Sequence, residues 1–161
     1  MQTAKNYGNS HLNLEHWNTV VWFMEKMIEW IDKFSVGIPS IDKQHKKLIG
    51  LIAKLQQSVL DGLGLEGLLI LLLELEEYTG YHFDYEERVL EKHGYPKDKL
   101  EAHIQEHEEI TEIVSKHIAE FSQKKEMLDI KVLHFLMDWT DEHMTGTDME
   151  YSDFLKSKGL V

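Results

Sequence analysis

The sequence predicts an all-α protein: an up-down-up-down antiparallel four-helix bundle preceded by an N-terminal arm with room for an additional helix. Three observations predict it. Only two prolines interrupt 161 residues, and the good helix formers Leu, Glu, Lys and Met are abundant. Four segments place core-type residues at alternating steps of three and four, the spacing of a buried helix face. The breaks between them are short and rich in Gly, Asp or Pro, which suits helices that turn straight back on their neighbours.

The elements follow in order. The arm contains HWNTVVWFMEKMIEWIDKF (16–34), apolar enough to dock on something, with Trp17, Trp22 and Phe23 as its anchors. The first bundle segment carries Ile41, His45, Leu48, Ile52, Leu55 and Val59. Pro39 sits where a first-turn proline belongs, and Asp61–Gly62 with Gly64 supplies the stop. The second carries Leu68, Leu72, Leu75, Thr79, His82, Glu86 and Val89, and closes at His93-Gly94-Tyr95-Pro96. The third reads Leu100, His103, His107, Ile110, Val114, His117 and Phe121. The fourth has Asp129, Val132, Leu136, Trp139 and His143 before it meets Gly146.

Composition narrows the chemistry. The length suits one domain with a real core. With no cysteine, disulfides, iron–sulfur clusters and thiolate zinc sites are excluded, so any metal is held by nitrogen and oxygen. A net charge of −12 argues against a nucleic-acid partner, which needs a cationic surplus. The longest apolar run, Leu68–Leu73, falls far short of the roughly 20 residues of a membrane span. The patch VVWFM (20–24) is too short for a secretory signal, and the expectation is a cytoplasmic protein.

Ten histidines in 161 residues is a large number, and their placement matters more than their count. The four stripes that should be apolar carry His45, His82, Glu86, His103, His107 and His143. Burying several imidazoles and a carboxylate is costly unless each finds a strong partner. A bound metal supplies that partner for all of them at once. One His-x-x-x-His on a charged helix reads as surface, and His82-x-x-x-Glu86 alone reads no better; both in phase with the core stripes, with another histidine on each remaining stripe, read as a metal site. Asp148 is the further candidate. It lies about 140° round an ideal helix from His143, so Thr145-Gly146-Thr147 must hold a π-bulge or a local break if both are to face one centre. The competing reading makes Asp148 the N-cap of a final segment, DMEYSDFLKS.

These residues resemble a known family. His45 in SVGIPSIDKQH, His82 and Glu86 in HFDYEE, His103 and His107 in HIQEH, and His143 with Asp148 in HMTGTD are similar to the hemerythrin pattern. The likeness runs over about residues 28–158 and takes in Trp30, the VGI of the arm, the GYP after the second segment, and Tyr151 with Phe154-Leu155. It sets residues 28–161 as a hemerythrin-like bundle and residues 1–27 as an extension outside the pattern.

The resemblance implies two iron ions in a non-haem di-iron centre, bridged by Glu86, Asp148 and an oxo or hydroxo group. His103, His107 and His143 would hold one iron, and His45 and His82 the other. Five histidines and three bridges then leave one coordination position open, on the iron with two histidines. The implied function is reversible O2 binding, for storage, delivery or sensing. Glu-x-x-His, the signature of many di-iron enzymes in bundles, does not occur in the chain. Five neutral imidazoles also disfavour highly oxidised iron, so the expected protein binds O2 and is not an enzyme. An apolar wall from Leu48, Ile49, Phe83, Ile110 and Trp139 would exclude water, although each is equally well placed for core packing. Tyr151 has two readings, a hydrogen bond to a ligand or plain packing. Two alternatives stand beside O2 binding: a di-iron enzyme acting on peroxide or nitric oxide, and a metal-handling bundle. Residues 1–27 would serve as the contact to a signalling module or a homodimer partner.

Overall fold

The computed structural model describes residues 27–124 and 130–160. The arm's anchors Trp17, Trp22 and Phe23, and Asp129 of the fourth stripe, lie outside the described residues. Among the described residues, five α-helices follow a short 3-10 turn at Asp32–Phe34: α1 Pro39–Leu60, α2 Leu65–Lys92, α3 Lys97–Lys124, α4 Ile130–Thr145 and α5 Thr147–Ser157.

Local chemistry sets the boundaries. Pro39 stands in the first turn of α1, where a missing N–H costs nothing. The Asp42 carboxylate in that turn accepts hydrogen bonds from Val36 N (2.8 Å) and Ser35 Oγ (2.6 Å), tying the arm to the helix start. Just beyond α1, Gly62 takes the left-handed φ of +72° that favours glycine, and Gly94 does the same after α2 at +74°.

Cross-helix contacts reveal the direction of each neighbour. His45 on α1 meets His82 on α2 with ring centroids 4.8 Å apart, while Lys54 further along α1 pairs with Glu74 earlier on α2 at 3.2 Å. The same reversed order joins α2 to α3, through Glu87 with His107 and Glu76 with Ser115. α1 also packs on α4, which closes the antiparallel four-helix bundle. No helix among the described residues is long and apolar enough to cross a membrane.

Two apolar clusters flank a polar layer. One takes Leu48, Ile52 and Leu55 of α1, Leu68, Leu72 and Leu75 of α2, Ile110, Ile118 and Phe121 of α3, and Leu133, Leu136 and Met137 of α4. The other joins Val36, Ile38 and Ile41 to Leu90, Tyr95, Tyr151 and Leu155. On α3 the buried face shifts from the predicted His117 to Ile118, and on α4 it runs through Leu133, Met137 and Thr140, leaving Val132 and Trp139 half-buried. A 3.6-residue helix drifts about 20° per heptad against a strict 3.5 stripe, which turns the far end of α3 towards Ile118, while α4 buries a face wider than the stripe, with Leu136 and His143 still on it.

Candidate metal centre

Between the two apolar clusters all seven predicted residues come together. His45 (α1), His82 and Glu86 (α2), His103 and His107 (α3), His143 (α4) and Asp148 (α5) are each at most 4% exposed. Their donor atoms form two groups that share one carboxylate: His103, His107 and His143 with Glu86, and His45 and His82 with Glu86.

Asp148 arrives by a chain break rather than a π-bulge. α4 stops at Thr145, Gly146 takes φ −108° and ψ −84°, and α5 begins at Thr147. A Cβ on Gly146 would lie 2.8 Å from the Glu142 carbonyl oxygen, so this turn accepts only glycine without a shift of backbone. The N-cap reading of Asp148 is overturned, because Gly146 occupies the N-cap and Asp148 sits fully buried in the first turn of α5.

The two carboxylates split their oxygens between the two groups. Glu86 Oε2 lies 3.0 Å from His103 Nε2 and 3.5 Å from His107 Nε2, whereas Oε1 lies 3.9 Å from His45 Nε2. Asp148 Oδ1 lies 3.1 Å from His143 Nε2 and 3.8 Å from His103 Nε2, whereas Oδ2 lies 3.3 Å from His45 Nε2.

The outer ring nitrogens explain which nitrogen faces inward. His107 Nδ1 donates to Glu87 Oε1 (2.8 Å) and His143 Nδ1 to Glu106 Oε2 (3.0 Å). His82 Nδ1 donates to the Gln44 amide oxygen (3.3 Å) and His45 Nδ1 to the Phe34 carbonyl (3.4 Å). A proton held on Nδ1 leaves an Nε2 lone pair pointing into the centre, the arrangement in which histidine ligates metals. Aromatic rings fix the planes: Phe83 stacks on His107 at 3.6 Å and Trp139 on His143 at 4.4 Å between centroids. Tyr151 does both things foreseen for it, donating to Glu86 Oε1 while buried in the smaller apolar cluster.

The donor set fits a cation better than it fits itself. His45 Nε2 and both Asp148 oxygens are buried without a hydrogen-bond partner, and His107 Nε2 and His143 Nε2 approach to 3.0 Å. Lone pairs so placed repel unless a proton or a metal lies among them. The ionisation pattern carries the same strain. Burial lowers His107 to about 2 and His82 to about 4. Burial also opposes charge on His143, but the Asp148 and Glu86 carboxylates and the bond to Glu106 outweigh it and raise the imidazole to about 9. For Glu86 burial favours the neutral acid, yet the His103 hydrogen bond and the surrounding imidazoles hold it well below the ordinary carboxylate range. Burial, then the Asp148 and Glu86 charges, push the Tyr151 hydroxyl well above its usual value.

Comparison with known proteins agrees with this geometry. Residues 36–155 match the family model described as the hemerythrin HHE cation binding domain. The chain belongs to the hemerythrin family. It is 31% identical over 131 residues to a bacteriohemerythrin of Clostridium acetobutylicum, covering 79% of this chain and all of that one. A Stenotrophomonas maltophilia bacteriohemerythrin is 27% identical over 134 residues, 81% of this chain and 83% of its own. A myohemerythrin of Riftia pachyptila is 27% identical over 122 residues, 76% of this chain and 88% of its own.

One turn from the candidate centre lies a cavity of about 30 Å³. Leu48, Ile110 and Trp139 of the predicted apolar wall line it, with Ile52, Leu75, Val114 and Leu136. Phe83 and Ile49 do not; the first packs on His107 and the second is buried in the core. Sequence reasoning missed Gln44, Glu87, Glu106 and the Phe34 carbonyl. Gln44, Glu87 and Glu106 are each adjacent in sequence to a candidate ligand, a usable signal. Which histidine each serves is a matter of cross-helix register: Gln44 precedes His45 but bonds to His82.

Proposed function

We propose that this hemerythrin-family protein binds O2 reversibly at a non-haem di-iron centre held by His45, His82, Glu86, His103, His107, His143 and Asp148. In this reading residues 28–161 are the O2-binding bundle and residues 1–27 an extension to it. The observation that carries the reading is the split of Glu86 and Asp148, each with one oxygen towards the three-histidine group and the other towards His45. Carboxylates so placed suit a bridge between two hard cations, and imidazole nitrogens suit iron. Two ferrous ions held there supply the electrons that reversible O2 binding requires.

The protein's own residues do the rest. Glu87, Glu106, Gln44 and the Phe34 carbonyl hold His107, His143, His82 and His45 in one tautomer, with Nε2 inward. Tyr151 orients Glu86 by donating to its Oε1. The cavity has room for a molecule the size of O2, and its mainly apolar lining resists the water and protons that would turn binding into consumption. Its polar lining is Glu76, Thr79, Thr111 and Thr140; Thr79 donates to the Leu75 carbonyl, Thr111 to the His107 carbonyl, and Glu76 accepts from Ser115 Oγ, so these three are already engaged.

The test is an anaerobic Fe(II) titration followed by O2, watched by visible absorption. The expected result is about two irons per chain and a band that rises with O2 and fades on degassing. Rapid oxidation without a lasting oxygenated form would favour an enzyme acting on peroxide or nitric oxide instead. Uptake of metal with no response to O2 would leave a metal-handling bundle.

A further inference from the structure

The break between α4 and α5 raises a mechanical problem. His143 and Asp148 stand on different helices, joined through Gly146, whose N-cap position carries no side-chain hydrogen bond. Glycine in such a turn gives no rigidity of its own. Two donors aimed at one centre across it need an outside brace.

Glu106 is placed to be that brace. A single oxygen of its carboxylate, Oε2, accepts from His143 Nδ1 at 3.0 Å and from Thr147 Oγ1 at 2.9 Å. His143 is on the last turn of α4, and Thr147 is the first residue of α5, next to Asp148. The brace comes from α3, one residue before His107, so it also sets the corner against the helix that carries two further candidate ligands. Its side chain is 45% exposed, and removing it therefore opens no core cavity.

We propose that Glu106 is a positioning residue that locks the α4–α5 corner, holding His143 in the tautomer with Nε2 free and fixing Asp148 opposite it. The proposal rests on the metal reading above and adds a residue to it. A partner beyond the ligands typically changes metal affinity about 10- to 100-fold.

Co(II) is a suitable probe, because its visible absorption reports coordination number and needs no O2. The full-length wild-type chain is expected to take up about two Co(II). Glu106→Ala should weaken one of the two positions by about 10- to 100-fold and alter the Co(II) spectrum. Glu106→Gln keeps an acceptor oxygen and should fall between the two, a rescue that a merely structural role would not produce. Thr147→Val should give a smaller loss, and no additional loss in the Glu106→Ala background, since both act through one oxygen. Wild-type affinity and spectrum in Glu106→Ala, or additive losses in the double variant, would overturn the proposal while the metal reading stands. A wild-type chain that takes up no Co(II) would overturn both.

Discussion

The two halves of the centre share their carboxylates but are supported differently. On one side are His103, His107 and His143; His107 and His143 donate to the ionisable partners Glu87 and Glu106. On the other are only His45 and His82, which donate to a backbone carbonyl and an amide. Hydrogen bonds to charged acceptors are about twice as strong as those between neutral groups, and they make imidazole a better donor. On the proposed di-iron reading, one half would hold its metal firmly, while the other, with fewer candidate ligands and less charge behind them, would leave more room for an external molecule.

Breaking both halves at once should have the largest effect. Glu86 belongs to both donor groups, so Glu86→Ala should abolish iron loading altogether, as measured by the iron-to-protein ratio. Full retention of two irons would remove the shared-carboxylate picture. Next in size are the single-half variants. His103→Ala should lose one iron together with the O2-dependent band, whereas His45→Ala should lose the more weakly held iron and keep metal in the other half. An unaltered oxygenated spectrum in His103→Ala would reject the assignment.

The halves also differ in how pH acts on the metal-free chain. His82 and His107 titrate near 6.5 when unfolded but only at about 4 and about 2 when folded. The unfolded chain takes up those protons first, so stability falls as pH drops below about 6.5. His143 has the opposite sign: raised to about 9, it contributes fully below about 6.5 and loses that contribution as pH rises towards 9. The melting temperature of metal-free protein should therefore peak near pH 6.5. The alkaline decline comes from the three-histidine half alone, and metal should abolish it by replacing the His143 proton. A metal-free chain equally stable at about pH 6.5 and about pH 9 would contradict this.

The smallest expected effects sharpen the contrast in support. Glu87→Gln should weaken metal at the three-histidine half by about 10- to 100-fold, and Gln44→Ala should weaken the other half at the lower end of that range. Equal losses, measured by competition with a chelator of known affinity, would show that the charge on the partner is immaterial.

Much of this was legible in the order of residues. Apolar spacing marks four helices, Gly62 and Gly94 mark two of the turns, and the imidazoles on core stripes stand out because burying them unpartnered is so costly. Asp148 was legible as a residue but not as a position, since an unbroken helix would carry it away from His143. The supporting acceptors were hidden for another reason. Gln44 and Glu87 read locally as polar neighbours of ligands, and nothing local says that they reach across to His82 and His107.

What the sequence by itself determined is whatever depends on periodicity and residue chemistry: the helices, their reversal at short turns, and a set of nitrogen and oxygen donors facing inward. Only the tertiary structure decided how the donors divide into two groups, which oxygen of each carboxylate faces which group, and that Glu106 spans the corner between His143 and Thr147. The reason is physical. A stripe fixes the side of a helix on which a residue lies, to within the drift between 3.5 and 3.6 residues per turn. Contacts at hydrogen-bond distance depend on the rotation and axial register of one helix against another, which the packing of both apolar clusters sets together.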